Sequence, residues 1–243
     1  MGAALGRKLA EQGFLVALVA RQAEKLCLLA EELNSRYAST SVGPVARAYP
    51  HDVRDVDAVS GLLERIRRDM GESGGELSVV VYAAGVMPLG KGGQWTLSEE
   101  RAMIETNLVG AMAWLGASAE VLQRIGRGTI VGISSVAGDR GRKGNSAYMA
   151  SKAGLSTYLE SLRYRLHGTG VRVVTVKPGY VATPMTAEQR LPKPLTISAD
   201  AAAASIAEVC LTRGTVAYVP RYWRLIMLII KSLPAAVLVR LPI

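Results

Sequence analysis

Cysteine and histidine are scarce in this 243-residue chain, which has two residues of each type. The two cysteines, Cys27 and Cys210, lie far apart in sequence, and neither has the spacing of metal ligands or a cluster of histidines beside it. Neither a disulfide framework nor a zinc site is therefore indicated. We expect no metal, and a reducing, cytoplasmic environment.

The chain also lacks segments that would indicate export or a composite architecture. No charged stretch followed by an apolar stretch and a cleavage site opens the sequence, which argues against secretion. No short repeat, low-complexity tract or linker interrupts it, and its 49% hydrophobic and 20% charged residues are typical of a globular protein. A chain of this length fits one α/β domain.

Acidic residues are outnumbered, with 20 Asp and Glu against 29 Lys and Arg, for a net charge of +9. This charge alone is compatible with nucleic acid, an anionic membrane surface or a phosphorylated ligand. Basic runs interleaved with aromatic residues are missing from the sequence, as are zinc-finger spacings, so we expect no nucleic-acid partner.

Strand-like and helix-like segments alternate along the chain. Short apolar runs predict strands over residues 14–20, 45–49, 77–82, 128–134 and 171–176. Helical periodicity predicts helices over residues 2–11, 22–37, 55–68, 98–109, 111–125 and 148–166. Repeated strand-helix-strand units predict an α/β fold, a doubly wound parallel sheet with helices on both faces.

Such a sheet binds its ligands beyond the carboxyl ends of the strands. The residues that follow the predicted strands are therefore candidates for a binding site: Arg21, Asp52, Gly85, Ser135 and Gly179.

Tyr148 and Lys152 are four residues apart, so on the predicted helix they share one face, a turn apart. A free tyrosine has a pKa of about 10, and a neighbouring cation stabilises the phenolate and lowers that pKa. The pair would suit acid-base chemistry, although the same spacing is common on ordinary helix surfaces.

Ser135 and Asn107 give this pair a context. Ser135 follows a predicted strand, where its hydroxyl could bond the same substrate oxygen. Asn107 interrupts an apolar helix, and a buried amide there needs partners, which a kink or a bound water would supply. Ser135 could also be a turn residue, and Asn107 a satisfied surface amide. The four residues together favour an active site.

At this point the chain resembles the short-chain dehydrogenase/reductase family, from residue 2 to about residue 186. The resemblance is carried by AEQGFLVALVAR, HDVRD, YAAGV, Asn107, GISSVAG, YMASK and KPGYVATPM, in the family's order and spacing. It implies a Rossmann-like sheet and a catalytic tetrad. In that tetrad Tyr148 exchanges the proton, Lys152 lowers its pKa and holds the nicotinamide ribose, Ser135 orients the carbonyl, and Asn107 anchors a proton-relay water. Hydride would pass directly from the nicotinamide.

The resemblance also implies a set of cofactor contacts. Asp52 would contact adenine with support from Val53, although Asp52 could instead cap the following helix. Gly85 would allow close approach of the backbone, yet the family's Asn-Asn-Ala-Gly reads Tyr82-Ala83-Ala84-Gly85 here, which weakens the expected hydrogen bonding between strand and loop. The remaining predicted contacts are Gly2, Ala84, Tyr148, Lys152, Pro178, Gly179, Val181 and Thr183.

Arg21 bears on which cofactor is used. An acidic residue at the end of the strand 14–20 would bond the ribose hydroxyls of NAD, whereas an arginine favours a 2′-phosphate. We therefore expect NADP(H) in preference to NAD(H). The alternative is an exposed arginine over the edge of the sheet.

The family opens with a strand and a turn, Gly-x-x-x-Gly-x-Gly, whose amides cradle the pyrophosphate together with the following helix. Met1-Gly2 aligns with the end of that turn. The resemblance thus leaves the first strand and most of the turn missing, and it places that strand between the strands that end near Arg21 and Tyr82. We expect the true start to lie upstream; the rival is a truncated protein with impaired cofactor binding.

The end of the chain is basic and apolar, with no acidic residue after Val209. Cations surround the apolar run 225–230, which is too short to span a bilayer: Arg213, Arg221, Arg224, Lys231 and Arg240. We divide the chain into a catalytic domain, residues 1–220, and an amphipathic extension of it, residues 221–243. Residues 221–240 could form a peripheral membrane contact with Tyr222 and Trp223 at the headgroups, or pack on the substrate cleft or a second subunit.

This tail and the segment GDRGRKGN also resemble a bacterial subgroup that includes decaprenylphosphoryl-ribose epimerase reductase subunits. The substrate would then be a small-molecule or lipid-linked carbonyl or alcohol. Two other functions stay open: a non-catalytic binding or scaffolding protein with weakened cofactor binding, and the reductase half of a two-protein lipid-linked sugar epimerase. The family resemblance further implies a homodimer or homotetramer that packs the helices of Asn107 and Tyr148 together.

Overall fold

The computed structural model describes residues 1–37, 43–88, 90, 93–188 and 191–240. The last three residues of the predicted extension 221–243 lie outside the described residues.

Helices and strands alternate through most of the chain. The helices are α1 (Gly2–Glu11), α2 (Ala23–Tyr37), α3 (Val59–Gly71), α4 (Leu97–Ile104), α5 (Gly110–Ile125), α6 (Ser146–Arg165), α7 (Ala199–Leu211), α8 (Trp223–Ser232) and α9 (Ala235–Leu238). The strands are β1 (Val16–Ala20), β2 (Ala46–Pro50), β3 (Val79–Tyr82), β4 (Gly128–Ile133), β5 (Val171–Pro178), β6 (Tyr180–Ala182), β7 (Thr196–Ser198) and β8 (Val216–Val219). A π-helix, Glu105–Val109, joins α4 to α5.

Every strand pairing among the described residues is parallel. Strands β3, β4, β5 and β8 form one sheet in that order, β1 pairs with β2, and β6 pairs with β7. Helices cover both faces of the main sheet, since Leu115 and Leu159 from α5 and α6 pack on one side, and Ala4 and Ile206 from α1 and α7 on the other. The predicted α/β class with a helix-flanked parallel sheet is confirmed.

The strands do not form one continuous sheet, because β1 and β3 belong to different sheets. A cavity of about 610 Å³ lies between them, lined by apolar side chains of both strands such as Ala17, Val19, Val79 and Val81. Parallel strands lie about 4.8 Å apart when they pair. Strands β1 and β3 are therefore separated by more than the spacing of paired strands.

The elements end where the backbone or side chains dictate. Helix α5 ends at Gly126, whose φ of 78° is the left-handed conformation typical of helix C-caps. Helix α4 begins with a capping box, in which the Thr96 hydroxyl accepts from the Glu99 N–H and the Glu99 carboxylate accepts from the Thr96 N–H. No helix of the described residues is long and apolar enough to cross a bilayer.

Candidate active site

Strand β4 delivers two serines to the carboxyl edge of the sheet. Ser135 caps a short 3₁₀ turn, Val136–Gly138, and its hydroxyl accepts from the Ala137 N–H at 3.1 Å. The Ser134 hydroxyl points the other way and donates to the carbonyl of Lys152 at 2.8 Å. The turn after β4 is therefore fixed against α6, and Ser135 is held in the cleft above the sheet.

Helix α6 begins at this cleft because Asn145 caps it. The Asn145 Oδ1 accepts from the backbone N–H of Tyr148 at 2.9 Å, which satisfies a free amide of the first turn. Tyr148 therefore lies in the first turn, and Lys152 follows one turn later on the same face. The Lys152 Nζ donates to the carbonyl of Ile133 at 2.9 Å and lies 5.9 Å from the Tyr148 ring centre.

Burial governs the ionisation of this pair. Burial raises the pKa of the Tyr148 phenol above its usual value of 10.0, and a hydrogen bond with the Ser135 side chain offsets part of that rise. Burial also lowers the pKa of Lys152 to about 8. The contact that lowers the Tyr148 pKa in this structure comes from Ser135. The lowering by Lys152 that the family resemblance implies stays a prediction.

Asn107 lies fully buried in the π-helix, so the predicted helix over residues 98–109 is kinked there rather than regular. Its Oδ1 accepts from the Val86 N–H at 2.7 Å, and its Nδ2 donates to the Val86 carbonyl at 3.0 Å and to the Ser151 hydroxyl at 3.1 Å. The amide thus joins the loop after β3 to α6. Extra-residue turns of this kind are frequent at functional sites.

The backbone of Gly85 lies beside two of these groups. A Cβ on Gly85 would lie 3.4 Å from the Asn107 Oδ1 and 3.5 Å from the Lys152 Nζ, which are ordinary contact distances. The structure therefore brings Asn107, Ser135, Tyr148 and Lys152 together at one edge of the sheet, as predicted.

A second group of predicted residues lines the cavity between β1 and β3: Gly2, Arg21, Val53, Ala84 and Gly85. Gly2 begins α1 there, so the helix presents its free amides to the carboxyl edge of the strands. The carboxyl-end mouth of the cavity, in contrast to its apolar interior, fits the phosphates of a dinucleotide, because amides and a guanidinium lie there on the same side of the sheet as the glycine that faces Lys152.

Asp52 does not line this cavity, whereas its neighbours His51 and Val53 do. The carboxylate is engaged by Arg54, whose Nη2 lies 2.6 Å from Oδ2 and whose backbone N–H donates to Oδ1 at 3.0 Å. The hydrogen bond from the Arg54 side chain is the largest cause that lowers the pKa of Asp52 to about 2. Asp52 thus organises a turn ahead of α3 but does not cap that helix, whose N-cap is Ala58, without a side-chain hydrogen bond.

The sequence Tyr82-Ala83-Ala84-Gly85 was expected to weaken the hydrogen bonding between β3 and the loop after it. The side chain of Tyr82 supplies a different hydrogen bond at the end of this strand. Its hydroxyl donates to the Thr106 carbonyl at 2.5 Å, inside the π-helix. The phenol is buried, which raises its pKa well above the usual range. The Tyr82 side chain therefore connects β3 to the helix that carries Asn107.

The chain after β5 forms the opposite wall. The Gly179 N–H donates to the Val219 carbonyl at 2.9 Å, and a short 3₁₀ turn, Pro184–Thr186, begins after Thr183, whose N–H donates to the Thr186 hydroxyl at 3.1 Å. Pro178 is the buried end of β5. Gly179 and Val181 face the same cleft as Tyr148, and Thr186 lies beside them.

We call this cleft the outer cleft. It measures about 420 Å³ and is bounded by Ser135, Val136, Arg142, Lys143, Asn145, Tyr148, Met149, Gly179, Tyr180, Val181, Thr186 and Trp223, with Met87, Pro88 and Trp95 across from them. Its described lining contains two cations and no carboxylate. The electrostatic potential of the outer cleft therefore favours anionic or acceptor-rich compounds.

A buried ion pair connects the Ser135 turn to the sheet. Lys177 on β5 pairs with Asp139, which follows the Ser135 turn, and the Tyr218 hydroxyl donates to the other Asp139 oxygen at 2.6 Å. The two charged side chains are 13% and 2% exposed. The loop that carries Ser135 is thereby fastened to β5 and β8.

The sequence of the chain matches a profile of the short chain dehydrogenase family over residues 1–194. The chain belongs to the short-chain dehydrogenase family. It is accordingly an oxidoreductase of the α/β, Rossmann-like type.

Curated relatives agree with this assignment. An uncharacterized oxidoreductase of Myxococcus xanthus is 41% identical over 194 residues, which cover 80% of this chain and 73% of the relative. An uncharacterized oxidoreductase of Mycobacterium tuberculosis is 30% identical over 242 residues, which cover 100% of this chain and 93% of the relative.

Solved structures share the fold of this short-chain dehydrogenase. The alcohol dehydrogenase of Thermococcus sibiricus, solved with 5-hydroxy-NADP, has a TM-score of 0.74 and 23% identity, with 88% of each chain covered. A gluconate 5-dehydrogenase of Burkholderia cenocepacia, solved with NADP and tartrate, has a TM-score of 0.77 and 19% identity, covering 91% of this chain and 89% of that one.

Several residues of the site escaped the sequence reasoning. For Trp223 the sequence left open the lipid headgroups or packing on the substrate cleft, and the residue is 3% exposed and packs on Gly179, where a Cβ would come within 1.8 Å of its Nε1. Arg142 and His51 also line the site without having been predicted. Asn145, three residues before Tyr148, had a usable signal, since Asn is a preferred N-cap.

Proposed function

We propose that this short-chain dehydrogenase is an NADP(H)-dependent oxidoreductase that interconverts a carbonyl and a secondary alcohol. The observation that carries the proposal is that Ser135 and Tyr148 line the same cleft, while Lys152 follows Tyr148 by one helical turn and Asn107 is bonded to Ser151 on the same helix. A phenol, a hydroxyl and a buried amine at one point suit proton exchange with a substrate oxygen.

The residues divide the work as follows. A bound nicotinamide supplies hydride. Because the pKa of Tyr148 is raised, the phenol keeps its proton near neutral pH and can donate it to a carbonyl oxygen. The Ser135 hydroxyl shares that oxygen as a second donor and fixes its position. Lys152, held by the Ile133 carbonyl, supplies positive charge behind the phenol and a donor for the cofactor ribose.

Asn107 acts through the backbone in this scheme. Its two hydrogen bonds to Val86 hold the loop that contains Gly85, and its bond to Ser151 reaches the helix of Tyr148. Asn107 would thereby hold the Gly85 loop, beside the cofactor, at a fixed distance from Tyr148, the proton donor. It would also anchor a proton-relay water.

NADP(H) is the preferred cofactor of this proposal. Arg21 is exposed at the end of β1, on the lining of the cavity that also holds Gly2 and Gly85, and a guanidinium there favours a 2′-phosphate. Titration of NADPH and NADH against the wild type and Arg21→Gln tests this: the variant should lose affinity for NADPH and keep its affinity for NADH. Equal losses for both cofactors would contradict the preference.

The reaction itself is tested by NADPH oxidation across a panel of aldehydes and ketones. Tyr148→Phe should lower turnover by about 10²- to 10⁴-fold, the usual range for loss of a general acid. Thermal shift with NADPH separates this outcome from a binding defect, because a cofactor that binds the folded state raises its melting temperature. Tyr148→Phe should keep that shift.

Two other readings are distinguished by the same measurements. A non-catalytic scaffolding protein would show no turnover with any carbonyl, and weak or no stabilisation by NADPH. The reductase half of a two-protein epimerase would turn over a keto-sugar only when a separate oxidase, or a chemically prepared keto compound, supplied it.

We also propose that the protein self-associates through the helices of Asn107 and Tyr148. Val109 and Met112, beside Asn107, are 42% and 44% exposed, and Tyr164 on α6 is 69% exposed. Such an apolar face is a candidate for contact with a second copy. Sedimentation velocity tests it: Met112→Glu should shift the protein toward monomer, and Leu97→Glu, at an exposed leucine on α4, should not.

A further inference from the structure

Helix α8 has two different apolar faces. Trp223 and Met227 are buried against Val136, Tyr180 and Leu195, so this face forms a wall of the outer cleft. On the opposite face Leu225, Leu228 and Ile229 are 64%, 66% and 56% exposed. Spacings of three and four residues place these three side chains side by side. The helix therefore presents to solvent a surface that an isolated globular domain would make polar.

Two features extend and fix this surface. Val237 and Val239, in and just after α9, are 43% and 59% exposed and add to the apolar area. The Arg140 guanidinium donates to the Leu233 carbonyl at 3.4 Å, which fastens the segment between α8 and α9 to the loop after Ser135. The face is thus held at a fixed position relative to the active site.

The charges around the face have one sign. Arg221, Arg224, Lys231 and Arg240 are exposed around it, and residues 209–243 of the sequence contain no Asp or Glu. An apolar centre with a cationic rim matches the interface of an anionic bilayer, where apolar side chains enter the acyl boundary and cations meet phosphate headgroups.

The charge pattern also decides between a bilayer and a second copy of the chain. In a two-fold contact the same patch meets itself, so the four cations of one rim would face the four of the other. Like charges across an interface oppose association. An anionic surface instead complements all of them.

We propose that α8 and α9 dock this protein on an anionic membrane surface through Leu225, Leu228 and Ile229. A helix is about 10 Å across, so docking places the outer cleft one helix diameter from the bilayer. Resting on the proposed oxidoreductase function, this geometry further assigns a membrane-dissolved carbonyl compound as the substrate class.

The docking is tested by sedimentation with vesicles. The full chain should pellet with phosphatidylcholine vesicles that contain phosphatidylglycerol, and remain in solution with phosphatidylcholine alone. The triple variant Leu225→Ser, Leu228→Ser and Ile229→Ser should bind more weakly, by about tenfold for each residue changed. Leu28→Ser with Leu97→Ser is the matched control, because these leucines are 65% and 80% exposed on other helices.

Three outcomes would overturn the docking proposal. The first is a wild type that stays in solution with the anionic vesicles. The second is a control variant that loses as much binding as the triple variant. The third is a wild type that forms dimers which the triple variant does not form, without binding vesicles, since the face would then be covered by a second copy.

The substrate class has its own readout. A long-chain aldehyde carried in the anionic vesicles should be reduced several-fold faster by the wild type than by the triple variant, whereas a short water-soluble aldehyde should be reduced equally by both. Equal rates on the long-chain aldehyde would overturn the membrane-dissolved substrate. If neither protein reduced either aldehyde, the proposed oxidoreductase function and the substrate class would both be contradicted. The sedimentation experiment would still test whether the protein docks on the membrane.

Discussion

The amide of Asn107 holds the backbone of Val86 at two points, accepting from its N–H at 2.7 Å and donating to its carbonyl at 3.0 Å. The same arrangement occurs far from the active site. There the Asn34 Oδ1 accepts from the Ala46 N–H at 2.8 Å, and its Nδ2 donates to the Ala46 carbonyl at 2.9 Å. The chain thus contains an internal control for the role of Asn107.

Asn107→Ala and Asn34→Ala should each lower the free energy of unfolding by about 1 to 3 kcal/mol, since each leaves a buried backbone N–H without its acceptor. Urea unfolding measures this loss. Asn107→Ala should in addition reduce kcat for carbonyl reduction, while Asn34→Ala should leave it near the wild-type value. Equal effects of both variants on kcat would limit Asn107 to a structural role.

Lys152 should make stability depend on pH. Its pKa is lowered from 10.5 to about 8 in the folded protein. Between these two values the unfolded chain binds more protons than the folded one, so the free energy of unfolding should rise as the pH rises from about 8 to about 10.5. Below pH 8 the full destabilising effect of the buried charge is present.

Lys152→Met removes this titration, so its free energy of unfolding should rise less than that of the wild type across the same window. Urea unfolding at a series of pH values measures the difference. Lys143→Met, at an exposed lysine of the outer cleft, serves as the control and should follow the wild type. Parallel profiles for wild type and Lys152→Met would refute the prediction.

Breaking the pair between Asp139 and Lys177 should be costly. Asp139→Asn leaves a mostly buried ammonium without its counter-ion, and we expect a loss of about 3 kcal/mol or more. Adding Lys177→Met to Asp139→Asn removes the stranded charge and should recover part of the stability. A double variant whose loss equals the sum of the two single losses would show that the two residues are energetically independent.

Gly179 and Trp223 should be strongly coupled. A Cβ on Gly179 would lie 1.8 Å from the Trp223 Nε1, so Gly179→Ala must displace the indole from the wall of the outer cleft. We expect a loss of about 1 to 3 kcal/mol, typical of overpacking. In a Trp223→Leu background the same change should cost less, and thermal unfolding of the four proteins gives the coupling. Additive losses would contradict the contact.

The sequence was sufficient where local pattern and tertiary role agree. Strands β3 and β4 lie between helices on both faces of the sheet, so they are mostly apolar runs that can be recognised without their neighbours. Helix α1 was predicted with the bounds that the structure gives it. The proposed tetrad could be grouped from the sequence, because each of its residues follows a strand or lies on a helix face that points to the same edge of the sheet.

Other features depend on distant contacts. Strand β8 has four residues, and it is a strand because it pairs with the carboxyl half of β5. Asn107 in an apolar helix was the one local sign of the π-helix, and the partner of its amide, Val86, could not be predicted because the contact crosses the fold. Trp223 lies between Arg221 and Arg224 in a segment whose sequence is typical of an exposed surface. The indole is buried because Gly179, which has no side chain, leaves space for it.

The separation of β1 from β3 has a mechanical consequence. Arg21 follows a strand of one sheet, and Gly85 follows a strand of the other. A ligand that contacts both residues would connect two sheets that are not hydrogen-bonded to each other at that point. Its arrival should therefore slow amide hydrogen exchange in β1 and β2, even at positions far from any atom that it touches.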